Sequence, residues 1–210
     1  MKIVIALPKG RVLKDALRLF RRAGLIQEEV GEDSRRLIFD GTQGLTFMLL
    51  RDRDIPTYVE YGACDMGVVG KDQLEEQGRN VYEPLDLGFG LCRMVVAEPE
   101  ELKTRDDPSL WSHIRVATKY PRITERHFLK KGVQVEIINL YGSIELAPRA
   151  GLCHRIVDLV STGETLRQNG LVEVEEIMKV TSRLIVNRAS LKTKHERIRE
   201  IIGRLEENLR

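Results

Sequence analysis

The residues with the most chemical content lie in one short run, Ile156-Val157-Asp158-Leu159-Val160-Ser161-Thr162-Gly163-Glu164-Thr165-Leu166. An apolar strand carries one carboxylate near its end and runs into a small, hydroxyl-rich loop that enters a helix. Backbone N–H groups at a helix N-terminus lack intrahelical partners and sit at the positive end of the macrodipole, so such a loop suits a phosphate dianion. The hydroxyls of Ser161, Thr162 and Thr165 add donors, and Gly163 lets the backbone approach closely. Asp158 can accept from both vicinal hydroxyls of a ribose whose 5′-phosphate occupies the loop. Carboxylate and loop together therefore suit a phosphoribosyl group. The same residues also form a capping box, Ser161 as N-cap and Glu164 three residues on, which needs no ligand; on the residues alone both readings stand.

The cationic candidates lie elsewhere. Lys9 and Arg11 follow the first apolar run and flank Gly10, so both can project beside a tight turn toward a polyphosphate, Arg11 bidentately. A solvated basic turn explains them equally. Arg51 and Arg53 alternate with Asp52 and Asp54 and read, taken alone, as a self-neutralising surface loop. Lys119 and Tyr120 before Pro121 either line a binding face or form a strand-to-helix turn with proline in the first helical position. Arg93 has an ordinary salt-bridge explanation. His113, His127, His154 and His195 share no metal-ligand spacing and no partnered nucleophile, so no metal site is expected among them. Cys64, Cys92 and Cys153 are odd in number and widely spaced, which argues against a disulfide framework or a structural zinc and for a reducing cytoplasm.

The elements that must position these groups alternate. A buried strand over Lys2 to Leu7 is broken by Pro8, and a helix follows with Val12, Leu13, Ala16, Leu17, Phe20 and Ala23 on one face and Gly24 as its stop. Arg36 to Phe39, Leu45 to Leu50 and Met66 to Val69 read as strands, with Pro56 opening a short helix to Tyr61. After Gly88-Phe89-Gly90 the alternation resumes: strands Leu91 to Ala97 and Ile114 to Thr118, helix Arg122 to Lys131, strands Val133 to Ile138 and Ile156 to Val160. Leu171 to Val186 is extended. A charged helix with Ile198, Ile201, Ile202, Leu205 and Leu209 at helical spacing closes the chain, with Ser190 as its expected N-cap. The class is α/β. Crossings near Gly88 and Leu171 give a discontinuous first domain, 1–88 plus 172–210, and a second, 89–171, with a cleft between two lobes.

The bulk composition excludes several classes of function. With 34 Lys and Arg against 32 Asp and Glu, the net charge of +2 provides no global field for nucleic acid or membrane, so any anion site must be local. The run Ile3 to Leu7 is too short for a signal-peptide core, and no apolar stretch approaches the ~20 residues of a membrane helix.

A longer pattern carries a resemblance. Glu145-Leu146-Ala147-Pro148-Arg149-Ala150-Gly151 followed by the Asp158 to Leu166 run resembles the signature of the ATP phosphoribosyltransferase family. The likeness extends through Leu7-Pro8-Lys9-Gly10-Arg11, Arg51-Asp52-Arg53-Asp54-Ile55-Pro56-Thr57-Tyr58-Val59, Cys92-Arg93 and Ala117-Thr118-Lys119-Tyr120-Pro121, essentially the whole chain. Cys153 and His154 depart from it, since the family usually has a small and an acidic residue there.

The resemblance implies a two-lobed, periplasmic-binding-protein-like fold of type II, and attack of adenine N1 of ATP on phosphoribosyl pyrophosphate. It implies Arg51 as the principal contact to the leaving group with Arg35 assisting. Substrate binding falls to Lys9, Gly10, Arg11, Glu145, Asp158, Ser161, Thr162, Gly163, Glu164, Thr165 and Leu166. Mg2+ rides on the substrate phosphates. A chain ending at Arg210 resembles the family's short form, which implies a homodimer working with a regulatory subunit related to histidyl-tRNA synthetase. Two rivals remain at this point: a two-lobed binding module for a phosphorylated metabolite, and a phosphoribosyltransferase with another acceptor.

Overall fold

Pro8 ends the apolar run of the first strand, and the residues before it divide between two faces: Ile3, Ile5 and Leu7 join one apolar cluster, Val4 and Ala6 another. That is the pattern of a strand covered on both sides. The computed structural model, which describes residues 2–27, 36–102 and 110–209, makes this run β1 (Ile3–Pro8). The chain continues through α1 (Arg11–Arg22), β2 (Ile38–Asp40), β3 (Leu45–Leu50), α2 (Ile55–Glu60), β4 (Met66–Gly70), α3 (Lys71–Gln77) and β5 (Tyr82–Asp86). It then builds β6 (Cys92–Pro99), β7 (His113–Thr118), α4 (Pro121–Lys130), β8 (Gln134–Asn139), β9 (Arg155–Val160), α5 (Glu164–Gln168) and β10 (Leu171–Val180). It finishes with β11 (Ser182–Val186), α6 (Arg188–Thr193) and α7 (His195–Glu207). Two units result, Met1–Leu91 with Thr181–Arg210, and Cys92–Val180.

The first unit holds a six-stranded sheet in the order β2-β3-β1-β4-β11-β5, with β1 parallel to both β3 and β4. On one face lie α1, through Leu13, Ala16, Leu17 and Phe20, and α7, through Ile198, Ile201 and Leu205. On the other lie Ile55 and Val59 of α2 and Leu74 of α3. The second unit repeats the device: its sheet has the order β10-β6-β9-β7-β8, with β7 parallel to β8 and β9. One face packs Met94, Val96, Val116 and Val157 under Ile123 and Phe128 of α4. The opposite face packs Val95, Ala97, Ala117, Ile156 and Val160 under Ile144, Ala147 and Leu166. In each unit the chain leaves the central parallel strand for one side and comes back to the other. Such a reversal is the place where open α/β sheets leave room for a ligand at the carboxyl ends of their strands.

Several elements differ from the sequence reading. The extended stretch Leu171 to Val186 is two strands of two different sheets: β10 hydrogen-bonds β6 from Leu171 to Val180, and only after Thr181 does β11 join β4. The chain therefore re-enters the first unit at Thr181, nine residues later than the expected 172. β5 escaped notice because Pro84 interrupts it; as the edge strand of its sheet it tolerates a residue without an N–H. Ser190 is not an N-cap. Asn187 caps α6 by accepting from Ser190 N at 2.8 Å, while its Nδ2 donates to the Val59 and Glu60 carbonyls. Ser190 Oγ instead donates to Asp65 at 2.6 Å.

Asp65 fastens the returning chain. It is buried and accepts from Val4 N at 2.9 Å, from Ser190 Oγ, and from Lys194 Nζ at 2.8 and 2.9 Å. Its removal strips an acceptor from a backbone amide and a buried hydroxyl at once. Asp65→Ala is therefore expected to destabilise the protein by about 3 kcal/mol in urea unfolding, and a change below about 1 kcal/mol would show that water replaces the carboxylate without penalty.

Candidate active site

The second unit brings one set of the predicted residues together. Glu145, Asp158, Ser161, Thr162, Gly163, Glu164, Thr165 and Leu166, with Leu159 and Val160, line a single pocket of about 200 Å³. The alternation of β9 explains why. Ile156 and Val160 pack on the face that carries Ile144, Ala147 and Leu166, so Asp158 between them turns to the same side. Glu145 comes from a 3-10 turn, Ile144–Leu146, seated by its buried neighbours Ile144 and Ala147. Leu166 is buried in that apolar cluster and anchors the loop from below.

The capping box does not form. The N-cap of α5 is Gly163, without a side-chain bond, and Glu164 turns outward to pair with Arg167 and to accept from Gln168 at 2.9 Å. Thr162 Oγ1 accepts from Glu164 N at 3.4 Å. Among the described residues, the hydroxyls of Ser161 and Thr165 and the N–H groups of Thr162, Gly163 and Thr165 meet no partner. α5 has five residues, so its dipole is weak and individual loop donors do most of what a phosphate would require. Gly163 sits at φ +79°, and a Cβ there would lie 3.2 Å from Glu173 Oε1.

Two charged neighbours complete the surroundings. Lys119 Nζ lies 3.2 Å from Asp158 Oδ1, which also accepts from Leu159 N at 2.7 Å. Glu173, beside Gly163, forks onto Arg93 at 2.7 and 2.9 Å, and its hydrogen bond and charge hold the Arg93 proton more tightly than usual. Sequence reading found no signal for Glu173, one of several acids in β10, since its closeness to Gly163 depends on the strand order β10-β6-β9.

The first unit brings together the other set. β1 and β3 are in register from Ile3↔Leu45 to Pro8↔Leu50, and Lys9 N donates to Leu50 O at 2.8 Å. Lys9 and Arg51 thus emerge side by side at the carboxyl end of the parallel pair. Gly10 adopts φ +90° and ψ −151°, which glycine alone takes readily, and Leu13 N bonds its carbonyl to start α1. Arg51 precedes the 3-10 turn Asp52–Asp54; the self-neutralising loop is not observed for it, since Lys9, Arg11 and Arg51 are exposed and, among the described residues, none has an ion-pair partner. Arg35 lies outside the described residues.

The remaining candidates have structural roles. Cys64, Cys92 and Cys153 are free and buried; burial, reinforced by the Asp65 charge, pushes the Cys64 thiol up to about 11, so it is not a nucleophile at neutral pH. Cys153 belongs to the apolar cluster, and His154 Nδ1 accepts from Arg115 N at 3.0 Å; neither departure from the family pattern lines the pocket.

Two mixed sheets flanked by helices, each with a reversal of strand order, define the class, and solved structures agree. The periplasmic aliphatic sulphonate binding protein from Escherichia coli superposes with a TM-score of 0.60 at 12% identity, over 99% of this chain and 68% of that one, a likeness of fold alone. The family is more specific. The ATP phosphoribosyltransferase family model matches residues 51–207. An ATP phosphoribosyltransferase of Citrifermentans bemidjiense is 60% identical over 99% of this chain and 98% of its own length. The ATP phosphoribosyl transferase (HisG:HisZ) complex from Thermotoga maritima superposes with a TM-score of 0.84 at 34% identity, over 99% and 98% of the two chains. The chain belongs to the ATP phosphoribosyltransferase family.

Gly163→Ala is expected to lower stability by about 1–2 kcal/mol, from the left-handed backbone and the contact with Glu173. Unchanged thermal unfolding would mean that the loop relaxes to a conformation open to any residue.

Proposed function

We propose that the pocket of Glu145, Asp158 and the 161–166 loop holds the phosphoribosyl group during the family's reaction, and that Arg51 with Arg35 stabilises the departing pyrophosphate. That reaction transfers the phosphoribosyl group of phosphoribosyl pyrophosphate to N1 of ATP, giving phosphoribosyl-ATP and pyrophosphate, the first step of histidine biosynthesis. The observation that carries the assignment of the pocket is its composition: a carboxylate and a loop of unpartnered donors around one cavity. In this reading the 5′-phosphate takes the hydroxyls and N–H groups of residues 161–165, and the ribose diol donates to Asp158.

Adenine N1 carries a lone pair at neutral pH, so attack needs no strong base, and the absence of a nucleophile–base pair from the assignment follows from the chemistry. What the protein supplies is placement of two polyanions and cations for the charge that develops on pyrophosphate. Lys9 and Arg11, beside Arg51 at the strand ends, are read as contacts to substrate phosphates.

The family needs a metal ion. Among the described residues no group of three His, Cys, Asp or Glu side chains is placed to hold one, and Asp158 already faces the Lys119 cation. We therefore assign Mg2+ to the phosphates of the substrates, where it neutralises part of their charge. The Thermotoga maritima complex supports a hetero-oligomer with a regulatory subunit, which we read as related to histidyl-tRNA synthetase, built on a homodimer of this chain. No helix of the described residues is long and apolar enough to cross a membrane, and the three free cysteines suit the cytoplasm. The binding-module alternative is not favoured, because the likeness to binding proteins stops at the fold while the likeness to the transferase extends through 60% of residues.

Magnesium-dependent release of pyrophosphate from phosphoribosyl pyrophosphate and ATP, measured with and without the regulatory subunit, tests the assignment. Arg51→Ala is expected to reduce turnover by about 10²–10³-fold, and undiminished turnover would remove Arg51 from the reaction. Asp158→Ala is expected to weaken phosphoribosyl pyrophosphate by at least about tenfold with little change for ATP; equal losses by calorimetry would exclude the ribose contact.

A further inference from the structure

Lys119 lies on the pocket's side of the sheet, beside the pocket's lining rather than in it. It directly follows β7, whose carboxyl end lies against β9, and the backbone on either side of it is fixed. Thr118, fully buried, donates through Oγ1 to Val157 O at 2.8 Å and accepts from Tyr120 N at 2.9 Å. Thr118 O accepts from Leu140 N at 3.0 Å, and the Tyr120 side chain is buried. The Lys119 side chain itself remains 38% exposed while its ammonium meets Asp158. Ala117, two residues earlier, packs in the cluster that carries the 161–166 loop, so the strand's alternation puts Lys119 on the loop's side of the sheet.

With its ammonium open to solvent, the pair contributes little to stability although Asp158 is only 15% exposed, so folding alone does not account for it. A phosphate pocket does. A bare carboxylate in the pocket would repel a substrate carrying a phosphate and a pyrophosphate, and a cation at 3.2 Å offsets that repulsion. The three donors of an ammonium on a flexible stem can keep one carboxylate oxygen and take a phosphate oxygen as well. Both protein contacts of Asp158 fall on Oδ1, which leaves Oδ2 for a ribose hydroxyl.

Resting on the pocket assignment made above, we propose that Lys119 is a substrate-contacting residue that bridges Asp158 and the pyrophosphate group of bound phosphoribosyl pyrophosphate. The second unit thereby supplies a leaving-group cation of its own, and the same side chain that holds the ribose carboxylate in place senses whether the pyrophosphate is present.

Calorimetry with two ligands tests this, using wild type, Lys119→Met, Lys119→Arg and Asp158→Ala in magnesium-containing buffer. Ribose 5-phosphate offers the 5′-phosphate and the diol without the pyrophosphate. Lys119→Met is expected to weaken phosphoribosyl pyrophosphate about 10- to 100-fold and ribose 5-phosphate less than about threefold, with Lys119→Arg recovering most of the loss. Equal losses for the two ligands would reduce Lys119 to a support for Asp158, and no loss would make the pair a surface salt bridge; either overturns the proposal. Unchanged melting of Lys119→Met shows that any loss is one of binding. Failure of the pocket assignment has a different signature: Asp158→Ala would bind both ligands like wild type, and the bridge would fall with it.

Discussion

The Thr118 hydroxyl donates to the Val157 carbonyl and accepts from the Tyr120 amide, all within the buried end of two neighbouring parallel strands. Strand ends are where a sheet frays, because the ladder stops and nothing fixes the next residue. Here a side chain adds one more link, tying the end of β7 to Val157 in the middle of β9, one residue before Asp158. The residues that follow have little freedom to wander: Tyr120 is buried and Pro121 opens α4. Lys119 and Asp158 consequently meet, and the loop after Val160 starts from a fixed point. A valine at 118 would fill similar space but leave a carbonyl and an amide without their partner. That one hydroxyl fixes the backbone next to both Lys119 and Asp158.

The same architecture serves both capture and catalysis because it puts unsatisfied donors at strand ends, where two connections part company. Turning capture into group transfer demands cations placed where charge appears, not a new fold. In this near-neutral chain, exposed cations gather locally. Lys9, Arg11 and Arg51 emerge at one end of the first sheet, while two arginines of α7 are spent on a neighbour: Arg197 pairs with Glu200, and Arg204 with the same carboxylate at 2.9 Å.

Much of this was legible from residue order. β1, α1, β3, β7 and β9 have the apolar alternation or helical spacing that local sequence encodes directly, and the 161–166 loop announces itself through small hydroxylated residues after a strand. The failures share a cause, which is that a neighbour distant in sequence decides the outcome. Pro84 argues against a strand until β5 proves to be an edge. Ser190 has the right chemistry for a cap, but Asn187 also reaches the Val59 and Glu60 carbonyls and so takes that place. Leu171 to Val186 is uniformly extended, and only pairing partners reveal that it changes sheets at Thr181. Glu173 reaches Gly163 only because β6 brings β10 and β9 to its two sides.

The two readings of the loop, capping box and phosphate cradle, were opposed on physical grounds, and the structure shows why they exclude each other. A capping box satisfies loop donors with the protein's own side chains, so a loop capped in that way has little left to offer an anion. In this loop Glu164 is drawn off by Arg167 and Gln168, one and the same face of a helix only five residues long. Gly163 takes the N-cap position with no side chain to donate or accept. The sequence motif that would close the loop is thus held open by two neighbours three and four residues further on. Ser161, Thr162 and Thr165 are exposed, so water meets their donors and leaving them open costs the fold little. Their persistence at one pocket, beside a carboxylate already balanced by Lys119, is what an anion with a sugar attached would require.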